Sequence, residues 1–235
     1  MKRLSFFIIL LLAPILTFPT CIIILRNHAG NVYIVADRMV HYTDGRSPTE
    51  ECKLFGYKNC FYAIAGTNPE LAKRVLDSAI DRNSYIPDAI KYFVDRYKFD
   101  YSVDIATHRK QLLIDKSTQE IGIVYFDGIA TNAEAIAFTL RVNGQTFKIL
   151  DSSFIASNNR PVLPLGVHDH LGVDKLEALA LVQKDMDQPI KYCEDLIDLE
   201  RSHHKDSISR DLDYFELTND GTVKFLRDPK CPFIN

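Results

Sequence analysis

Tryptophan is absent from this sequence, and glycine is scarce, with 10 in 235 residues. No low-complexity tract, internal repeat or Gly/Pro-rich linker interrupts the chain, so nothing in it marks a boundary between two domains. An excess of charge is also missing. Lys and Arg number 28 against 31 Asp and Glu, a net charge of −3. A basic surplus is what a nucleic acid or an anionic membrane demands of a partner, so neither is expected. After Phe18 no apolar run approaches the roughly 20 residues of a spanning helix. The histidine pairs His168-x-His170 and His203-His204 could bind a metal in principle. They read as surface-loop histidines, and neither a metal nor a cofactor is expected. Asn219-Asp220-Gly221 is turn chemistry, not a calcium loop.

What is present begins with a leader. Met1-Lys2-Arg3 is basic, and Leu4 to Phe18 is apolar apart from Ser5, Pro14 and Thr17. A basic start followed by a short apolar stretch is the pattern of a secretory signal. The reading is a signal peptide over 1–20 and one domain over 21–235. It implies export, to a periplasm or outside the cell, with no membrane attachment once the leader is cleaved. The whole chain is 46% hydrophobic and 25% charged, ordinary for a folded protein. Five cysteines, at 21, 52, 60, 193 and 231, are an odd count. If Cys21 has a chemical role, four remain for two bridges. The plainer alternative is five buried thiols.

The hydrophobic period alternates in blocks. Strands are expected at Cys21–Leu25, at Val32–Ala36, and as a hairpin of Lys53–Phe55 with Phe61–Gly66. A helix opens at Asn68-Pro69-Glu70 and carries Leu71, Val75, Leu76 and Ile80. Another starts at Pro87, with Ile90, Phe93 and Val94. Strands return at 111–114, 121–126, 135–142 and 146–150, the last two joined at Asn143-Gly144. Residues 152–164 read as a polar loop. Helices over 173–186 and 189–202 precede a final hairpin of 212–217 and 223–226. Tight turns make neighbouring strands antiparallel. The order fits an α+β protein in which two antiparallel sheets pack together with helices outside.

Three features stand at even spacing. Asp37 lies sixteen residues after Cys21, and Lys53 sixteen after Asp37. Each falls at a strand end, where short loops gather side chains. A nucleophile on the first residue of a chain has a base built in, its own α-amine. That amine has an ordinary pKa of about 7.7–8.0 and is partly neutral near pH 7. A lysine beside it lowers the pKa of both groups, and a carboxylate keeps the lysine's charge from being buried alone.

At these residues the sequence resembles the proteasome β-subunit branch of the N-terminal nucleophile (Ntn) hydrolases. The matching pieces are Thr20-Cys21-Ile22-Ile23, the run from Gly30 to Arg38 ending in Ala36-Asp37-Arg38, Cys52-Lys53-Leu54-Phe55, and Phe61 to Gly66. The stretch Asp211 to Gly221 looks like that family's last hairpin. The resemblance implies a four-layer αββα sandwich and hydrolysis of an amide bond in a peptide or small molecule. It carries the lysine role to Lys53 and the aspartate role to Asp37. Rings of such subunits are a family habit, so a homo-oligomer is part of what it implies.

The nucleophile is Cys21 or Thr20. Counting from Cys21 matches the family without a gap, and a thiol is the stronger nucleophile, so Cys21 is preferred. Counting from Thr20 requires one extra residue in the turn at 26–30. Cleavage before Thr20 would leave Pro19 at the leader's end, which signal processing tolerates badly. A second, autocatalytic cut is the route the resemblance allows. A backbone N–H at Ala65-Gly66 is the candidate oxyanion donor, because Gly66 permits close approach. Ser207 or Ser209 is the candidate to polarise the terminal amine. The glycines that the family places near this region and near Leu165–His170 are mostly missing, which keeps open an inactive exported binding protein on the same scaffold.

Overall fold

The computed structural model describes residues 20–40, 47–58, 60–66, 69–108, 117–143, 146–154, 162–166, 171 and 188–225. The leader, residues 111–114, the second residue of the Asn143-Gly144 turn, the helix expected over 173–186, His168, His170 and Cys231 lie outside them.

The chain begins with β1 (Cys21–Arg26) and β2 (Val32–Asp37). Two short strands, β3 (Met39–Val40) and β4 (Thr49–Glu50), pair with each other. Next come β5 (Leu54–Tyr57), β6 (Cys60–Gly66), α1 (Pro69–Arg82) and α2 (Ile86–His108). Three long strands follow: β7 (Ser117–Asp127), β8 (Asn132–Asn143) and β9 (Thr146–Phe154). The chain then forms β10 (Val162–Gly166), α3 (Pro189–His203), β11 (Leu212–Leu217) and β12 (Val223–Phe225). One antiparallel sheet runs β10-β1-β2-β11-β12, and the other is the meander β5-β6-β7-β8-β9. The architecture is therefore mixed α/β, with antiparallel sheets and, among the described residues, three helices.

Local chemistry explains the elements. Helix α1 has proline in its first turn, where the missing N–H costs nothing, with Glu70 at the positive end of the helix and Arg82 at the negative end. Its buried residues Leu71, Val75, Leu76, Ala79 and Ile80 recur at helical spacing. Helix α2 buries Ala89, Phe93, Tyr97 and Tyr101 in four-residue steps. Strand β1 is buried on both faces, as the unbroken run Cys-Ile-Ile-Ile-Leu requires of a strand in mid-sheet.

Three apolar clusters hold the layers. Tyr62, Ile64, Ile121, Ile123 and Phe138 of the meander meet Leu76, Phe93 and Tyr97 of α1 and α2. Ile22, Ile24, Ile34 and Phe215 of the first sheet meet Ala63, Ala65, Val124, Ala135 and Ala137 of the second. Cys21, Ile23, Leu25 and Val35 meet Tyr192, Cys193, Leu196 and Ile197 of α3. Alternate residues of β1 thus enter different clusters.

Two expectations are corrected. Residues 152–164 are not one polar loop, because β9 continues to Phe154 and β10 begins at Val162. Pro164 disguised β10, yet it pairs with Ile23 at a sheet edge, where proline is tolerated. The four cysteines besides Cys21 do not form two bridges. Cys21, Cys60 and Cys193 are free, buried thiols, whereas Cys52 is disulfide-bonded. Cys60 and Cys193 lie inside separate apolar clusters and serve as small core side chains.

Candidate active site

Thr20 immediately precedes β1 and continues the row of Ile22 and Ile24, which faces the other sheet. Lys53 immediately precedes β5, in that other sheet. The two side chains meet where the cleft between the sheets ends. The Lys53 ammonium donates to Thr20 Oγ1 at 2.9 Å and to Asp37 Oδ1 at 2.9 Å. Thr20, Lys53 and Asp37 are 6%, 5% and 0% exposed, so the contacts lie out of bulk water.

Asp37 is the hub. Besides Lys53, its Oδ1 accepts the amide of Cys21 at 2.7 Å. Its Oδ2 accepts the amides of Met39 at 3.0 Å and Ser209 at 3.3 Å. These bonds spread the carboxylate's charge over three backbone dipoles and one cation, which is how a buried charge is made tolerable. Burial pushes the pKa of Lys53 below its ordinary 10.5, while the Asp37 carboxylate works to raise it. A second buried pair, Arg38 Nε with Asp213 Oδ1 at 3.9 Å, lies in the same region, and the charge of Asp213 works in the same direction as that of Asp37 on Lys53.

Cys21 takes the opposite face of its strand. Its side chain is fully buried in the cluster beneath α3. Burial first, then the charges of Asp37 and Glu200, push its thiol far above the ordinary 9.0. A thiolate is therefore suppressed there. The structure brings Thr20, Asp37 and Lys53 together by their side chains, and Cys21 joins them only through its backbone amide.

The supporting residues divide. Ser209 is 1% exposed and touches Asp37 through its amide. Its hydroxyl donates to Glu50 Oε1 at 2.6 Å and accepts the amide of Asp211 at 2.9 Å. Ser207 sits in the turn after α3, its amide donating to the carbonyl of His204 at 3.0 Å. Gly66 ends β6 at φ 143°, opposite Gln119. A residue that the sequence reading left without a role proves central. Gly166, at φ 79°, lies so close to Thr20 that a Cβ on it would come within 1.7 Å of the Thr20 carbonyl oxygen. Its amide donates to Glu120 of the other sheet, and Ala65 is its neighbour across the cleft. A glycine closing an apolar run was the available signal.

Two packed antiparallel sheets, with a lysine and an aspartate meeting the residue ahead of the first strand, define a class: this chain has the proteasome-like Ntn-hydrolase fold. Solved structures agree. The Gly-1 mutant of Anbu from Hyphomicrobium sp. strain MC1 superposes with a TM-score of 0.56 at 13% identity, over 89% of this chain and 88% of that one. Eukaryotic HslV from Trypanosoma brucei gives 0.53 at 16% identity, over 85% and 99%. Anbu (ancestral beta-subunit) from Yersinia bercovieri gives 0.52 at 10% identity, over 89% and 88%. At such identities the likeness speaks for the fold. No protein-family model matches the sequence, and no curated protein does.

Proposed function

We propose that the protein is an exported Ntn-type hydrolase of peptide or other amide C–N bonds, with Thr20 as nucleophile once the leader is removed. The observation that carries the reading is the buried Lys53 ammonium, 2.9 Å from both Thr20 Oγ1 and Asp37 Oδ1. It displaces the preference for Cys21, whose thiol faces α3. The three successive apolar clusters support a four-layer αββα order. We place the mature protein in a periplasm or outside the cell, as a homo-oligomer.

In this mechanism the freed α-amine of Thr20 takes the proton from Oγ1, and Oγ1 attacks the amide carbonyl. The Lys53 ammonium stabilises charge developing on Oγ1, in a site dry enough to make that interaction strong. Asp37 holds Lys53 in place. A backbone N–H at Ala65-Gly66 receives the oxyanion. The amine leaves, and water hydrolyses the ester left on Thr20. In the full chain the nitrogen of Thr20 is still bonded to Pro19, so processing must precede hydrolysis.

A second reading, an inactive exported binding protein, draws on Ser209, whose hydroxyl is bonded to Glu50 and to the Asp211 amide. The mass of the mature protein, with peptidyl-aminocoumarin amides as probes, decides between them. The expected chain starts at Thr20. Thr20→Ala is expected to abolish hydrolysis, and Cys21→Ala to retain it within a few-fold. A mature chain that keeps residues ahead of Thr20, or an active Thr20→Ala protein, overturns the hydrolase reading with Thr20 as nucleophile. A chain starting at Cys21 that loses activity in Cys21→Ala returns the role to the thiol.

A further inference from the structure

The end of the molecule away from Thr20 holds a concavity of its own. Ala65 of β6 lies beside Gly166 and so at the Thr20 end. The strand starts at Cys60, and at about 3.3 Å per residue that start is roughly 15–20 Å from Ala65. There the β5–β6, α1–α2, β7–β8 and β11–β12 turns meet around a cavity of about 690 Å³. That is the size of a small-molecule site. Its rim is apolar and open to water: Tyr85 is 49% exposed and Ile129 87%, with Phe126 beside them. One exposed apolar side chain is ordinary, but two at a single cavity mark a binding surface.

The polar groups of the cavity have capacity left over. Tyr125 lines it and is 8% exposed, yet its hydroxyl has no hydrogen-bond partner among the described residues. A buried phenol ordinarily finds one. Asp127 Oδ1 accepts the amides of Ile129 at 2.8 Å and Ala130 at 3.3 Å. Asp220 Oδ1 accepts the amide of Thr222 at 3.0 Å and the hydroxyl of Thr218. The other oxygen of each carboxylate has no partner among the described residues. Lys58 also borders the cavity, but its ammonium is paired with Asp81 at 2.7 Å. The lining charge that remains is negative. Burial first, then the charges of Glu134 and Asp127, push the Tyr125 phenol above its ordinary 10.0, so it stays a neutral hydroxyl in that field.

We propose that this cavity binds a small organic cation, a primary ammonium carried on an aromatic or alkyl body. The ammonium has three donors and no acceptor, and the lining offers it acceptors on Asp127, Asp220 and Tyr125. The body packs on Tyr85, Phe126 and Ile129, and the aromatic faces attract the same charge. An anion would meet two carboxylates, and a neutral ligand would leave them without a counter-charge. The site is separate from the Thr20 centre and does not depend on the hydrolase reading.

The test titrates wild-type protein at neutral pH with phenylbutylamine, phenylbutanol and phenylbutyrate, and reads binding from ligand NMR line widths. The amine is expected to bind with a Kd of about 1 mM or tighter, about tenfold or more below that of the alcohol, and the carboxylate not to bind. Asp127→Asn and Asp220→Asn keep the oxygen that holds each turn and remove the charge. Each is expected to weaken the amine about tenfold and leave the alcohol unchanged. Ile129→Arg should weaken amine and alcohol alike, and Thr20→Ala should bind the amine as wild type does. Equal affinity for amine and alcohol, a preference for the carboxylate, or no binding at all overturns the proposal. So does amine binding that ignores both Asn variants, or that is lost in Thr20→Ala. Self-association that Ile129→Arg abolishes, with no amine bound by wild type, would give the face to a second copy. Should an Asn variant fail to fold, the three-ligand comparison on wild-type protein decides. Binding is read without turnover, so a protein that hydrolyses nothing tests the site equally well.

Discussion

Asp37 and Lys53 form a pair that neither residue's own preferences would place indoors. A lone Lys or Asp belongs in water, and each is tolerated here because the other is present, with backbone amides completing the carboxylate's shell. The pair also makes stability depend on pH. Burial lowers the pKa of Lys53 in the folded state, so between that value and the ordinary 10.5 the unfolded chain binds more protons than the folded one. Unfolding free energy therefore rises with pH across that window. Lys53→Met is expected to remove this rise, seen by urea unfolding at a series of pH values up to 10.5. At neutral pH it should cost about 3–5 kcal/mol, because Asp37 keeps a buried charge without its cation. A variant as stable as wild type, with the same slope, would contradict the assignment.

Among the elements, β10 has the most to explain. Its sequence Val162-Leu163-Pro164-Leu165-Gly166 carries a proline, and by local rules it is a loop. At the edge of a sheet the proline needs no donor on its outer side, and five residues of β1 pair with the strand in register. The pairing sets Gly166 against the carbonyl of Thr20 and so fixes where the residue ahead of β1 sits. Gly166→Ala requires a positive φ of a residue with a Cβ and places that Cβ within 1.7 Å of the oxygen. Strain of roughly 1–3 kcal/mol is expected, together with displaced Thr20. Thermal unfolding should register the first, and Lys53 amine labelling the second. Wild-type values in both would mean that the close approach is not needed.

For the whole molecule, the spacing of the two sheets decides whether a site exists, since Thr20 comes from one and Lys53 from the other. The inner face of the meander carries several small residues, Ala63, Ala65, Ala135 and Ala137, beside larger ones such as Leu54 and Val124, with Ile22, Ile24 and Phe215 opposite. Gly122 lies tight against the first sheet, for a Cβ there would lie 2.2 Å from Ile24 Cδ1. Gly122→Val is expected to force the sheets apart at a cost of about 1–3 kcal/mol, typical of overpacking. It should lower the thermal midpoint and reduce hydrolysis although it touches none of Thr20, Asp37 and Lys53. Unchanged stability would show that the sheets can slide to accept it.

The sequence by itself determined most of the elements and the identity of the charged pair. Helical spacing in α1 and α3, the proline-led helix starts and the Asn-Asp-Gly turn act within a few residues, so local pattern suffices to read them. The even steps from residue 21 to Asp37 and Lys53 were equally legible. Only the tertiary structure decided that Thr20, and not Cys21, faces the lysine. Strand β1 is apolar on both sides, and an unbroken apolar run carries no mark of which side looks toward which layer. That assignment came from β10 and the second sheet closing around the strand, contacts between residues distant in sequence that no short-range pattern encodes.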